Sequence, residues 1–124
     1  MRQVYQRRRN DCGVACVAML TGKTYQQAEM AIFPDPDPGY AEKRDVVAAL
    51  RLLGRRPVSE FTSAFGRAPR SFRLRFDALV KCNYRAGTGA WHWVVWDARR
   101  QRFRDPLRQP YKRLRVHSYL RIDP

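Results

Sequence analysis

A chain of 124 residues with 44% hydrophobic and 12% aromatic residues has the size of one domain and enough apolar surface to bury a core, which excludes a disordered tail. No stretch approaches the roughly 18 uninterrupted apolar residues of a membrane span. Arg7-Arg8-Arg9 leads into Asn10-Asp11 instead of the apolar region of a signal peptide, so the expectation is a single cytoplasmic domain over 1–124. Twenty-five Lys+Arg against eleven Asp+Glu give a net charge of +14. Such a field attracts nucleic acid, anionic membrane or an acidic protein, and is equally compatible with a basic surface that is simply solvated.

Residues 1–10 are polar and arginine-rich and read as an extended lead-in carrying Gln6. Asp11 sits where an N-cap belongs, and Cys12 to Leu20 is a first helix with Val14, Cys16, Val17, Ala18 and Leu20 apolar. Its apolar positions run nearly all round, the pattern of a central buried helix. Gly22 ends it, and Thr24 caps a second helix from Tyr25 to about Ile32 with Ala28, Ala31 and Ile32 inward. Pro34 to Gly39 holds three prolines and a glycine, which rules out regular structure. It is an acidic tip on a basic chain, suited to docking on a partner or on this chain's own arginines. A third helix follows from about Ala41 to Leu53, with Gly54 as its stop.

Pro57, Gly66 and Pro69 break up residues 55–71, where Ser59 starts a short helix across Glu60 to Phe65. Phe72, Leu74 and Phe76 alternate with Arg73 and Arg75, as in a half-buried strand or a short amphipathic segment. Asp77 to Tyr84 is a strand, Arg85 to Ala90 a hairpin turn, Trp91 to Trp96 a second strand. Asp97 to Gln101 turns the chain again, and Arg102 to Asp105 is a short strand stopped by Pro106. The C-terminal piece, with Leu114, Val116, Tyr119, Leu120 and Ile122, adds an edge strand or a turn of helix. Helices first and antiparallel strands after predict an α+β fold.

The chemistry gathers at Cys12. A thiol at the start of a buried helix meets unpaired backbone N–H groups and the positive end of the helix dipole, which favour a thiolate and can cradle an oxyanion. His92 and His117 are the two histidines. His92 opens a strand between Trp91 and Trp93, an aromatic fence that pins an imidazole. Pairing residues 91–96 with 102–105 through the second turn brings Asp105 close to His92, where cross-strand neighbours lie roughly 5 Å apart at Cβ. Nucleophile, base and orienter then follow as Cys12, His92 and Asp105. Gln6 is placed to give a side-chain N–H to the oxyanion beside the Cys12 backbone N–H. Cys16 and Cys82 read as core, His117 as solvent-exposed, and the three tryptophans as core and site wall. Three cysteines imply no disulfide framework. The spacing of Cys12 and Cys16 lacks the second Cys/His pair of a zinc site, so no metal and no cofactor is expected.

Gln6-x5-Cys12 within Gln-x4-Asp-Cys-Gly-x-Ala-Cys, followed by His92-Trp-Val-Val and Asp105-Pro106, resembles the bacteriocin-processing, double-glycine cysteine peptidases. These are papain-like domains often fused to peptide-exporting transporters. The resemblance covers nearly the whole chain. It implies N-terminal helices packed on a C-terminal antiparallel sheet, and a hydrolase that cuts a peptide or isopeptide bond. It assigns Cys12 as nucleophile, His92 as base, Asp105 as orienter and Gln6 as oxyanion donor. The substrate would be a peptide or protein, an acidic one included. The chain carries one domain without transporter spans or an ATP-binding module, so leader cleavage coupled to export is not implied. The +14 charge and the acidic proline loop lie outside the family pattern. The arginine excess supports an alternative: a catalytically silent papain-like scaffold that binds nucleic acid or an acidic protein through its basic surface.

Overall fold

The computed structural model describes residues 1–34, 41–64 and 72–124. Three helices come first, α1 (Cys12–Thr21), α2 (Tyr25–Ile32) and α3 (Lys43–Leu52). The strands β1 (Arg56–Pro57), β2 (Thr62–Ser63), β3 (Ala78–Arg85), β4 (Ala90–Asp97), β5 (Arg102–Arg104) and β6 (Val116–Asp123) follow. They form one six-stranded antiparallel sheet of order β1-β6-β3-β4-β5, with β2 also on β6. The architecture is α+β, and no helix among the described residues is long and apolar enough to cross a membrane.

α1 is buried from Gly13 through Leu20, as its all-round apolar pattern implies, and lies between the other two helices and the sheet. Gly22 stops it in the left-handed region at φ 71°, its N–H returning to the Ala18 carbonyl. The capping box of α2 is complete: Thr24 Oγ1 accepts from the Gln27 N–H and Gln27 Oε1 from the Thr24 N–H. Gly13 is where α1 comes closest to its neighbours. A Cβ there would meet the Ala41 Cβ at 3.0 Å and the Val46 Cγ2 at 3.4 Å, so the start of the helix depends on having no side chain at that position.

The sheet is covered on both faces. Leu79, Trp93, Val95, Leu120 and Ile122 face the helices, while Val80, Cys82, Val94, Trp96 and Val116 meet a second cluster around Phe72 and Leu74. Phe72 and Leu74 are buried and Arg73 and Arg75 exposed, so the alternation expected for 72–76 is real. The segment makes no ladder, however. Phe72 packs across the sheet against Trp96, Phe103 and Tyr119 with ring centroids 5.1, 5.2 and 5.5 Å away.

Three expectations need correction. The short helix from Ser59 to Phe65 is absent over its described residues. Thr62 and Ser63 instead pair with Tyr119 and Ser118, because the outer side of β6 offers unmet backbone groups that a strand satisfies and an isolated helical turn does not. β6 is no edge strand: it lies between β3 and the short β1 and β2, with Val116, Ser118, Leu120 and Ile122 buried. His117 is half-buried, not exposed, and its ring packs on Tyr84 at 5.2 Å. The acidic tip expected at Pro34–Gly39 lies, past Pro34, outside the described residues.

Candidate active site

The thiol, imidazole and carboxylate singled out in the sequence come from three separate elements. Cys12 is the first residue of α1, half-buried. His92 is in β4, opposite Cys82 of β3, and the Cys82 thiol donates to the His92 carbonyl at 3.3 Å. A residue read as plain core thereby anchors the histidine's backbone. Asp105 follows β5 directly. Val95 pairs with Arg104, and continuing that register puts Asp105 diagonal to His92 on the same face, a separation of roughly 7–8 Å between backbones that two side chains can bridge. His92 Nε2 and Asp105 Oδ1 are 2.8 Å apart.

The carboxylate is itself held. Its Oδ1 also accepts the Leu107 N–H at 2.9 Å, and Gln3 Nε2 donates to the Asp105 backbone carbonyl at 2.8 Å. The Gln6 N–H reaches the Pro106 carbonyl at 2.9 Å, so the N-terminal lead-in lies along the Asp105-Pro106 corner and fixes it. Asp105 Oδ2 is buried without a hydrogen-bond partner.

Cys12 and His92 line the same lobe of the cleft. Burial works against the imidazolium, but the hydrogen bond to Asp105, then the hydrogen bond and charge of Cys12, outweigh it and raise the His92 pKa to about 9. Since Nε2 serves Asp105, Nδ1 is the ring nitrogen left to serve a thiol, the division of labour that nucleophilic catalysis requires. The other two cysteines are fully buried, and burial drives both of their pKa values up, which leaves them inert.

Gln6 lines the same cleft as Cys12 and His92. Its Nε2 donates to the Arg8 and Arg9 carbonyls at 3.1 and 3.0 Å, so those N–H groups are engaged locally, and its Oε1 is buried without a partner. The start of α1 shows the opposite condition. Asp11 stands at the N-cap position but makes no side-chain cap, and the first helical bond runs from the Ala15 N–H to the Asp11 carbonyl. The backbone N–H groups that open the helix at Cys12 are therefore not taken by a capping side chain.

Asp11 is used elsewhere, in a network the sequence reading did not contain. Its buried carboxylate accepts from the Tyr25 hydroxyl and from Arg8 Nε at 3.1 Å. Arg8 also pairs with Glu29, and the Tyr25 oxygen accepts the Arg7 N–H at 3.0 Å. α2 thus grips the loop that delivers Cys12. The adjacency of Asp11 to Cys12 was a visible signal; the distant Tyr25 was not.

The cleft has two lobes meeting along Asn10, Cys12, Thr88, Ala90 and Trp91. One, of about 380 Å³, is walled by Gly13, Ala41, Trp91 and Trp93 with Glu42 beside them. The other, of about 760 Å³, holds His92, Tyr111 and four arginines. Tyr111 packs edge-to-face on His92 with centroids 5.2 Å apart. A cysteine with an oriented imidazole at the junction of two lobes is suited to attack a carbonyl in a chain lying through both. Comparisons with protein-family models, curated proteins and solved structures return no match.

Proposed function

We propose that this protein is a cysteine peptidase, a papain-like thiol hydrolase of the kind the bacteriocin-processing family represents. The observation that carries the reading is the placement of Cys12, at the start of α1, in one cleft with a His92 that Asp105 orients through a 2.8 Å contact. In the reaction, His92 Nδ1 takes the thiol proton and the sulphur attacks the substrate carbonyl carbon. The tetrahedral oxygen is held by backbone N–H groups at the start of α1. The imidazolium then gives its proton to the leaving amine, and water, deprotonated by the same imidazole, releases the acyl group. Gln6 joins the oxyanion site only after its amide leaves the Arg8 and Arg9 carbonyls, so the helix start bears most of that charge.

The test is cleavage of a diverse peptide pool followed by mass spectrometry. Products formed by the wild type and lost in both Cys12→Ala and His92→Ala support the reading. Products that persist in Cys12→Ala would count against it, as would a complete lack of cleavage across the pool.

A further inference from the structure

We propose that the cleft selects a peptide carrying acidic residues on one side of the bond offered to Cys12 and an apolar side chain on the other. The proposal rests on the peptidase reading and adds a substrate class to it. Arg9, Arg85, Arg113 and Arg115 line the larger lobe, and among the described residues no aspartate or glutamate lines it. None of the four takes part in an ion pair among the described residues, in contrast to Arg8, Arg55, Arg104 and Arg121, each of which has a carboxylate. Four guanidinium groups with no ion-pair partner among the described residues line one trough and repel one another, and an anionic segment relieves that repulsion. Their planar forks match carboxylates in two-point contacts, and their summed field draws an acidic chain toward the thiol.

The smaller lobe has the reverse character. Ala41, Gly13, Trp91 and Trp93 give it apolar walls, and Glu42 is its one charged residue among the described ones. An apolar side chain fills it, while an acidic one would meet a like charge. Because the lobes join at Cys12, the polarity of the cleft sets the direction in which a peptide lies across the sulphur.

A nucleic acid would exploit the same arginines, but it also needs open aromatic faces for its bases. The aromatic rings along the trough already have partners. Lys81 Nζ lies over Tyr84 and Trp91 at 4.7 and 4.5 Å, His117 packs on Tyr84, Trp93 on Trp91, and Tyr111 on His92. Tyr84 and Tyr111 stay 44% and 49% exposed, so it is the four arginines that favour carboxylates, and a nucleic acid is the rival outcome of the test.

The experiment reads binding, so it does not depend on turnover. Fluorescence anisotropy of full-length Cys12→Ala protein would be measured with tagged glutamate–alanine and lysine–alanine peptides of equal length, and with an oligothymidylate of the same charge as the acidic peptide. The acidic peptide should bind at least about tenfold more tightly than the basic one. Arg113→Glu with Arg115→Glu should abolish that preference. The milder Arg113→Gln with Arg115→Gln pair should reduce it by an intermediate factor, which guards against misfolding of the reversed variant. Equal binding of the two peptides would overturn the proposal, as would acidic binding that ignores both arginine pairs. Tighter binding of the oligothymidylate would overturn it in favour of a nucleic-acid site. The peptidase reading fails separately, by the absence of Cys12-dependent cleavage.

Discussion

His92 Nε2 and Asp105 Oδ1 make their 2.8 Å contact diagonally across the β4–β5 pair, from a register in which Arg104, one residue earlier, stands opposite Val95. The geometry depends on the hairpin between these strands keeping its register and on the chain leaving β5 at Pro106. Replacing Asp105 with Ala removes the acceptor that orients the imidazole. Peptide turnover should fall by about a hundredfold or more, in line with the usual contribution of a positioned acid–base group, with KM changed far less than kcat. Steady-state kinetics with any substrate found in the pool, beside a circular-dichroism spectrum matching the wild type, checks this.

The His92 pKa rises from the ordinary 6.5 to about 9, so the fold prefers the imidazolium. The stabilisation linked to this is complete below pH 6.5 and is lost as pH rises through about 9. In the proposed reaction the imidazolium protonates the leaving amine, so kcat for an amide substrate should decline on the alkaline side of about 9. An NMR titration of the His92 ring should place its midpoint well above 6.5, and Asp105→Asn should move it down.

Tyr25→Phe deletes the hydroxyl that donates to buried Asp11 and accepts from the Arg7 N–H. Burial and the Asp11 hydrogen bond both raise the Tyr25 pKa, so the hydroxyl stays a donor throughout the working range. Loss of this bond to a buried carboxylate should cost about 1.5–3 kcal/mol. It should also loosen the loop ahead of Cys12. Urea denaturation measures the first effect, and a fall in kcat/KM larger than that of an exposed control such as Tyr5→Phe measures the second.

Asp97 and Arg104 form a buried pair at 2.7 Å that closes the β4–β5 hairpin. Burial acts against the Asp97 carboxylate, but Arg104 overrides it and lowers its pKa. Asp97→Ala strands a buried guanidinium and should destabilise the fold by about 3–5 kcal/mol. Asp105 should then lose its register, so the activity that remains should fall more steeply with temperature than in the wild type.

The helices were legible because each carries its own local signals: the Gly22 stop, the Thr24 capping box and the apolar spacing of Val46, Ala49 and Leu50. The β3–β4 hairpin was legible for the same reason, a glycine-rich turn between two apolar runs. β6 was misplaced because nothing within Val116–Asp123 says which strands will flank it; that is decided by β1, β2 and β3. Thr62–Ser63 became strand for the same non-local reason. At the site, residue types and order pointed to Cys12, His92 and Asp105. Asp11 holds the N-cap position the sequence indicates, but its carboxylate goes to Tyr25 and Arg8 instead of the helix N–H groups, and the engagement of Gln6 with Arg8 and Arg9 depends on a turn that no spacing rule describes.

The most direct test of the central claim is the rate at which each cysteine reacts with iodoacetamide at neutral pH, resolved by peptide mapping. Cys12 should react at least about a hundredfold faster than buried Cys16 and Cys82, and His92→Ala should remove most of that advantage. Equal rates for the three thiols, or a Cys12 rate unchanged in His92→Ala, would contradict the account.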